Sequence, residues 1–196
     1  MGQGRGMRRS WIAAALLVAL LVVFRLISAS GYLPNFSPLP ALLLCSLVFF
    51  RGAKAWLLPL GAWALTDPLV SLVQRYPIVG AHHVGIAIGL VGAVALGFWL
   101  RRHTGTLAML GGSLAAAGLF YFFSNTASFL FDPLYAKNAG GFVQAQWTGP
   151  AGFGPTWLFL RNLAVANLLF TGVFLAARRS WAPATAATTA PAAPLR

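Results

Sequence analysis

The sequence predicts an all-α integral membrane protein with six transmembrane helices. Three observations carry that prediction. The chain is 59% hydrophobic and only 8% charged, where soluble domains carry about 25% charged residues. Its apolar residues gather into uncharged runs near twenty residues long, the length that crosses a bilayer. Its basic residues sit almost wholly in the gaps between those runs. The net charge of +12 would suggest a nucleic-acid partner in a soluble chain. Here the charge sets orientation instead, and no nucleic acid is expected.

Residues 1–9 read as a polar tail with Arg5, Arg8 and Arg9. Residues 10–180 read as the membrane domain, and 181–196 as a disordered Ala, Pro and Thr tail. The first crossing is Ser10 to Ala29. Ser28-Ala29-Ser30 has the small-residue pattern of a signal cleavage site. The apolar run before it is long enough to span, and Arg25 interrupts it, so a retained helix is expected.

The second crossing is odd. Pro34, Pro38 and Pro40 prevent a helix from running through, since each lacks a backbone donor and restricts the residue before it. The apolar run Leu39 to Phe50 holds twelve residues. Such a helix covers roughly 18 Å of a hydrocarbon core about 30 Å thick. The segment 35–38 is therefore expected to be extended and to make up the rest. Irregular backbone at membrane depth survives only where protein buries it or water reaches it. A cavity wall is the expected role.

The third crossing runs from Lys54 to Val73 and carries Asp67-Pro68. The fourth runs from Val79 to Leu100, with His82-His83 at its outer end. The fifth, Thr106 to about Phe131, begins with small residues and ends near Ser124-Asn125-Thr126. Residues 132–156 read as a loop of Gly, aromatics and amides. The sixth crossing, Trp157 to Ala177, carries Arg161, Asn162 and Asn167.

Charge counting gives the orientation. With the N-terminus inside, Arg5, Arg8, Arg9, Arg51, Lys54, Arg101, Arg102, Arg178, Arg179 and Arg196 lie inside, against Arg75 and Lys137 outside. Both termini are then cytoplasmic.

The informative residues are polar ones inside apolar runs, because an ionised group at mid-membrane costs at least about 2.5–3.5 kcal/mol. Arg25, Asn35, Asp67, Asn125, Arg161 and Asn162 all fall toward the outer ends of their crossings. They form one layer, expected to hold a small polar or anionic solute. The two arginines suit an anion or a carbonyl. An internal ion pair of Asp67 with Arg25 or Arg161 is the structural alternative. His82 and His83 point about 100° apart on a helix and do not share a metal easily. No metal or cofactor is expected. The chain has no Glu and shows no nucleophile and base pattern, so no enzyme activity is expected. An enzyme built on Asp67 and His82 or His83 would need hydrogen-bond contact between them. Cys45 is a packing residue. Ala15 and Ala19, four apart, form a small-residue face that lets another helix approach.

The order of the motifs adds a resemblance. The turn Asn35-Phe36-Ser37-Pro38-Leu39-Pro40-Ala41-Leu42, Asp67, Ser124-Asn125-Thr126, and Arg161-Asn162 before Leu168-Leu169-Phe170 follow one another. Together they resemble an uncharacterised family of bacterial membrane proteins. In that family an Asn-Phe-Thr-Pro-type turn, a Ser-Asp, a Thr-Asn and an Arg-Asn occur in this order. The family in turn resembles the substrate-binding (S) subunits of energy-coupling-factor transporters. Those are six-helix proteins with both termini inside that bind vitamins or metal ions from the outer side. The resemblance implies that Phe36, Ser37 and Pro38 form a gate. It also implies that Ala15 and Ala19 meet a coupling subunit that works with ATPase partners. No vitamin-specific motif is present, and the N-terminal His of nickel and cobalt binders is missing. A structural or assembly subunit of a larger membrane complex is the alternative reading.

Overall fold

The computed structural model describes residues 18–75, 77–80 and 82–181, the side chains of Gln74, His82, Ser180 and Trp181 excepted. Seven helices and no strand occur among the described residues. They are α1 (described over Val18–Ala29), α2 (Leu39–Phe49), α3 (Lys54–Gln74), α4 (His82–Leu100), α5 (Thr106–Phe131), α6 (Ala139–Gln146) and α7 (Trp157–Trp181). Four of them, α3, α4, α5 and α7, are long and apolar enough to cross a membrane. Large apolar side chains face outward along them. Leu57, Leu65 and Val91 are 66%, 68% and 65% exposed. Water would penalise that surface and lipid does not, so the set suggests a membrane protein. The tail 1–9, Ala15 and most of the tail 181–196 lie outside the described residues.

The half-length helix α2 is the centre of the bundle. Leu39 to Val48 are all buried, and α2 packs against α3, α4, α5 and α7. Its sequence is apolar on every side, as a helix enclosed by protein must be. Its 11 residues reach about 16 Å, roughly half the hydrocarbon thickness. Residues 35–38 do not complete the crossing as an extended strand. Asn35 sits in the left-handed region at φ 60°, a conformation asparagine tolerates better than most residues. The backbone N–H of Phe36 bonds Leu33 O at 3.1 Å and that of Ser37 bonds Asn35 O at 2.9 Å. The proline-rich segment is thus a compact turn.

Basic residues close the other end of α2. Arg101 donates from Nε to Leu47 O at 2.8 Å, and its guanidinium lies 4.5 Å from the Phe98 ring centroid. Exposed carbonyls at a helix C-terminus favour such a cation.

Helices α4 and α5 pack through glycines. A Cβ on Gly89 would sit 2.8 Å from a Phe120 ring carbon, 3.1 Å from Phe120 O and 3.2 Å from Phe120 Cα. Two of those atoms are backbone, so the helices themselves would have to part. Gly89→Ala is expected to lower stability by about 1–3 kcal/mol. Gly111 has nothing within 4 Å of the corresponding position, so Gly111→Ala should not destabilise. Thermal unfolding of both variants in detergent checks the contrast.

The segment 132–156, read as a loop, contains α6. Asn138 caps it, accepting from Gly141 N–H at 2.9 Å. The Tyr121 hydroxyl donates to Gln146 O, and Gln146 Nε2 donates to Phe122 O and Thr126 Oγ1 at 3.2 and 3.1 Å. These bonds lay α6 along the end of α5. Lys137 Nζ donates to Phe129 O and to Asp132 O at 2.7 Å, which covers the last carbonyls of α5. Tyr135 is buried beside this junction; burial, then the Asp132 charge, push its phenol above the usual range.

Candidate functional site

Chain direction brings the C-terminal ends of α1, α3 and α5 together with the N-terminal ends of α2, α4 and α7. The basic residues Arg51, Lys54, Arg101, Arg102, Arg178 and Arg179 follow at the opposite end. Both acidic residues of the chain, Asp67 and Asp132, belong to the first of these ends.

Asp67 is the hub. It sits on α3 before Pro68, a proline inside the helix. Its Oδ1 accepts from Arg25 Nη2 at 3.2 Å and from Trp63 Nε1 at 3.0 Å. Its Oδ2 lies 2.8 Å from His83 Nε2. Arg25 comes from α1, Trp63 is four residues earlier on α3, and His83 opens α4. The Arg25 and Asp67 side chains are 9% and 10% exposed. A buried carboxylate with three donors is well compensated, and the pair that the sequence offered as a structural alternative is Arg25 with Asp67. The contact an enzyme on Asp67 and a histidine would need is therefore present with His83. Among the described residues no group of three metal-ligating side chains forms.

A cavity of about 370 Å³ opens beside this network, lined by Arg25, Ser28, Asn35, Asp67, Ser71 and Asp132 among others. A second, of about 450 Å³, adjoins it and shares Asn35, Ile86, Phe120, Ser128 and Asp132. One buried polar atom in the wall has no hydrogen-bond partner among the described residues: Arg25 Nη1.

The expected layer divides into two groups. Asn35 and Asp67 reach the cavity. Asn162 is buried, but it holds the turn instead: its Nδ2 donates to Pro34 O at 2.9 Å. Asn125 is half-buried on α5, one residue from the cavity-lining Ser124, and is not in either wall. Arg161 is exposed. It donates to Asn162 Oδ1 at 3.1 and 3.3 Å and lies 5.9 Å from the Trp157 ring centroid. It adds no positive charge to the cavity. The reason is helical phase. Asn162, Leu163, Ala166, Asn167 and Phe170 are the buried stripe of α7, and position 161 falls off it.

Asn167 has a structural role that its place on an apolar run does not reveal. It is 0% exposed. Its Oδ1 accepts from Ala41 N at 2.6 Å, and its Nδ2 donates to Ser37 O at 3.2 Å and Leu163 O at 2.7 Å. It satisfies one of the donors that the start of α2 leaves without a helical partner. Ser28 Oγ accepts from Phe36 N at 3.1 Å, and the Phe36 ring packs 5.1 Å from that of Phe24. Of the expected gate residues, Phe36 and Pro38 are buried and Ser37 is half-buried, tied by its carbonyl. The irregular backbone is thus satisfied by side chains of α1 and α7. Of the expected docking face, Ala19 is exposed on α1.

Residues 5–188 match the model of the family of unknown function DUF6580. The chain belongs to that family. No curated protein and no solved structure matches it.

Proposed function

We propose that the protein is a solute-binding subunit of a membrane transporter, similar to the S subunits of energy-coupling-factor systems. It lies in a bacterial inner membrane with both termini inside, and it binds a small polar solute at its outer end. It has no motor of its own and depends on coupling and ATPase subunits. The observation that carries this reading is the unpartnered Arg25 Nη1, buried in a wall of a polar cavity beneath the proline-rich turn. A buried cationic donor left unpaired is costly, and an acceptor on a ligand relieves the cost. Asp67 offsets the charge of Arg25, and Asp132 adds a negative group. That balance favours a solute carrying both acceptor and donor groups over a simple anion.

Arg25→Gln tests the reading, because glutamine still offers Asp67 a donor. Wild-type protein should be stabilised by at least one small polar solute in a thermal-shift screen. The variant should bind that solute about 10- to 100-fold more weakly, the range of a hydrogen bond to a charged group. No stabilising solute, or equal binding by the variant, would reject the proposal.

A second reading rests on the three donors gathered on Asp67. They brace α1, α3 and α4 and suit a structural or assembly subunit. Pull-down separates the two. ATPase and coupling partners support transport, whereas a stable complex of unrelated integral proteins supports assembly.

A further inference from the structure

At the basic end of the bundle lies a larger cavity, of about 570 Å³, remote from the Arg25 site. Its walls include Phe49, Phe50, Thr106, Phe174, Arg178 and Arg179. The Arg178 guanidinium lies 3.9 Å from the Phe49 ring centroid. Arg179 Nη2 donates to Thr106 Oγ1 at 3.3 Å. Phe49 stacks on Phe174 at 5.7 Å, and Phe50 meets the same ring edge-on at 6.4 Å. The cavity therefore has an aromatic floor and a rim of two planar cations.

No side-chain carboxylate is available to neutralise that rim. The chain holds two acidic residues, and both belong to the other end. The height of the cavity is also informative. It sits where the candidate spans Thr106–Phe131 and Trp157–Arg179 begin and end, the level at which lipid headgroups meet hydrocarbon. Guanidinium groups form paired hydrogen bonds to phosphate oxygens, and basic pockets between transmembrane helices take anionic headgroups.

We infer that this cavity is a binding site for the phosphate headgroup of an anionic phospholipid, held by Arg178 and Arg179 with Phe49, Phe50 and Phe174 beneath it. The site is independent of the outer cavity and of any transported solute.

The test uses the full chain in neutral detergent and native mass spectrometry, titrated with phosphatidylglycerol or phosphatidylcholine. Wild type should retain the anionic lipid and not the zwitterionic one. Each arginine near an anionic headgroup contributes roughly fivefold, so R178Q/R179Q should weaken retention about 25-fold. K54Q/R102Q removes two charges from the same end but none from this cavity, and should bind as wild type. R179Q alone, losing one rim contact, covers the case in which the double variant fails to fold, and should show the smaller loss. Equal loss in K54Q/R102Q would reduce the effect to general surface charge and overturn the site. Unchanged retention in R179Q and R178Q/R179Q would do the same. Displacement of the lipid by millimolar inorganic phosphate would overturn the lipid commitment in favour of a soluble phosphate ligand.

Discussion

Asp67→Ala is expected to lose about 3–5 kcal/mol of stability, because it strands the buried guanidinium of Arg25 without its counter-charge. The substitution also removes the acceptor of Trp63 Nε1 and the 2.8 Å contact of His83. The double variant Arg25→Met, Asp67→Leu should recover much of the loss, since neither buried charge remains. Unfolding of wild type and the two variants in detergent, followed by circular dichroism, checks both expectations. If Asp67→Ala alone melts like wild type, the network is not holding α1, α3 and α4 together. The contrast matters for function as well. A double variant that is stable yet binds no solute would assign the pair to recognition, whereas one that binds normally would assign it to packing.

Asn167→Leu should be comparably damaging, at about 2–5 kcal/mol. Leucine matches asparagine closely enough in size to fill the space, but it strands the buried Ala41 N–H and takes the donor from the half-buried Ser37 O. Each stranded group costs about 1–3 kcal/mol. The loss should appear as a lower melting temperature and as faster proteolysis of the turn around residues 35–38. Asn167→Ser, which keeps one donor and acceptor but is shorter, should fall between leucine and wild type. A leucine variant with wild-type stability would show that the start of α2 does not depend on α7.

The long helices were readable because their ends are punctuated. Lys54 opens α3 where the expected third crossing begins, and Thr106 and Phe131 bound α5 as the sequence indicates. The charge gaps at 51–54 and 101–102 do most of that work. Helix α6 was hidden because it is short and opens on Ala139, Gly140 and Gly141, two of them poor helix formers. The available signal was Asn138, a strong N-cap residue. The turn at 35–38 was expected to be extended because proline restricts its neighbours toward extended conformations. What replaced it was the left-handed Asn35, a backbone state that hydropathy does not encode.

The candidate site was readable as depth but not as direction. Counting along each run places Asp67, Asn162 and Arg161 at one level. It does not say which way each faces. For α7 the direction was available: Asn162, Leu163, Ala166, Asn167 and Phe170 follow the helical repeat, and Arg161 does not share their face. The choice of Arg25 over Arg161 as the partner of Asp67 depends on how α1 packs on α3, which no local pattern carries.

The enclosure of α2 bears on how the chain is assembled in the cell. A mostly apolar segment of 11 residues is too short for the insertion machinery to release as a free-standing span. The acceptor for its first turn, Asn167, is made 126 positions after Ala41. Ribosomes therefore deliver the lock for the second helix long after the helix itself. Until synthesis reaches α7, the nascent protein holds an unfinished centre, and a message truncated before that point encodes a product fit for degradation.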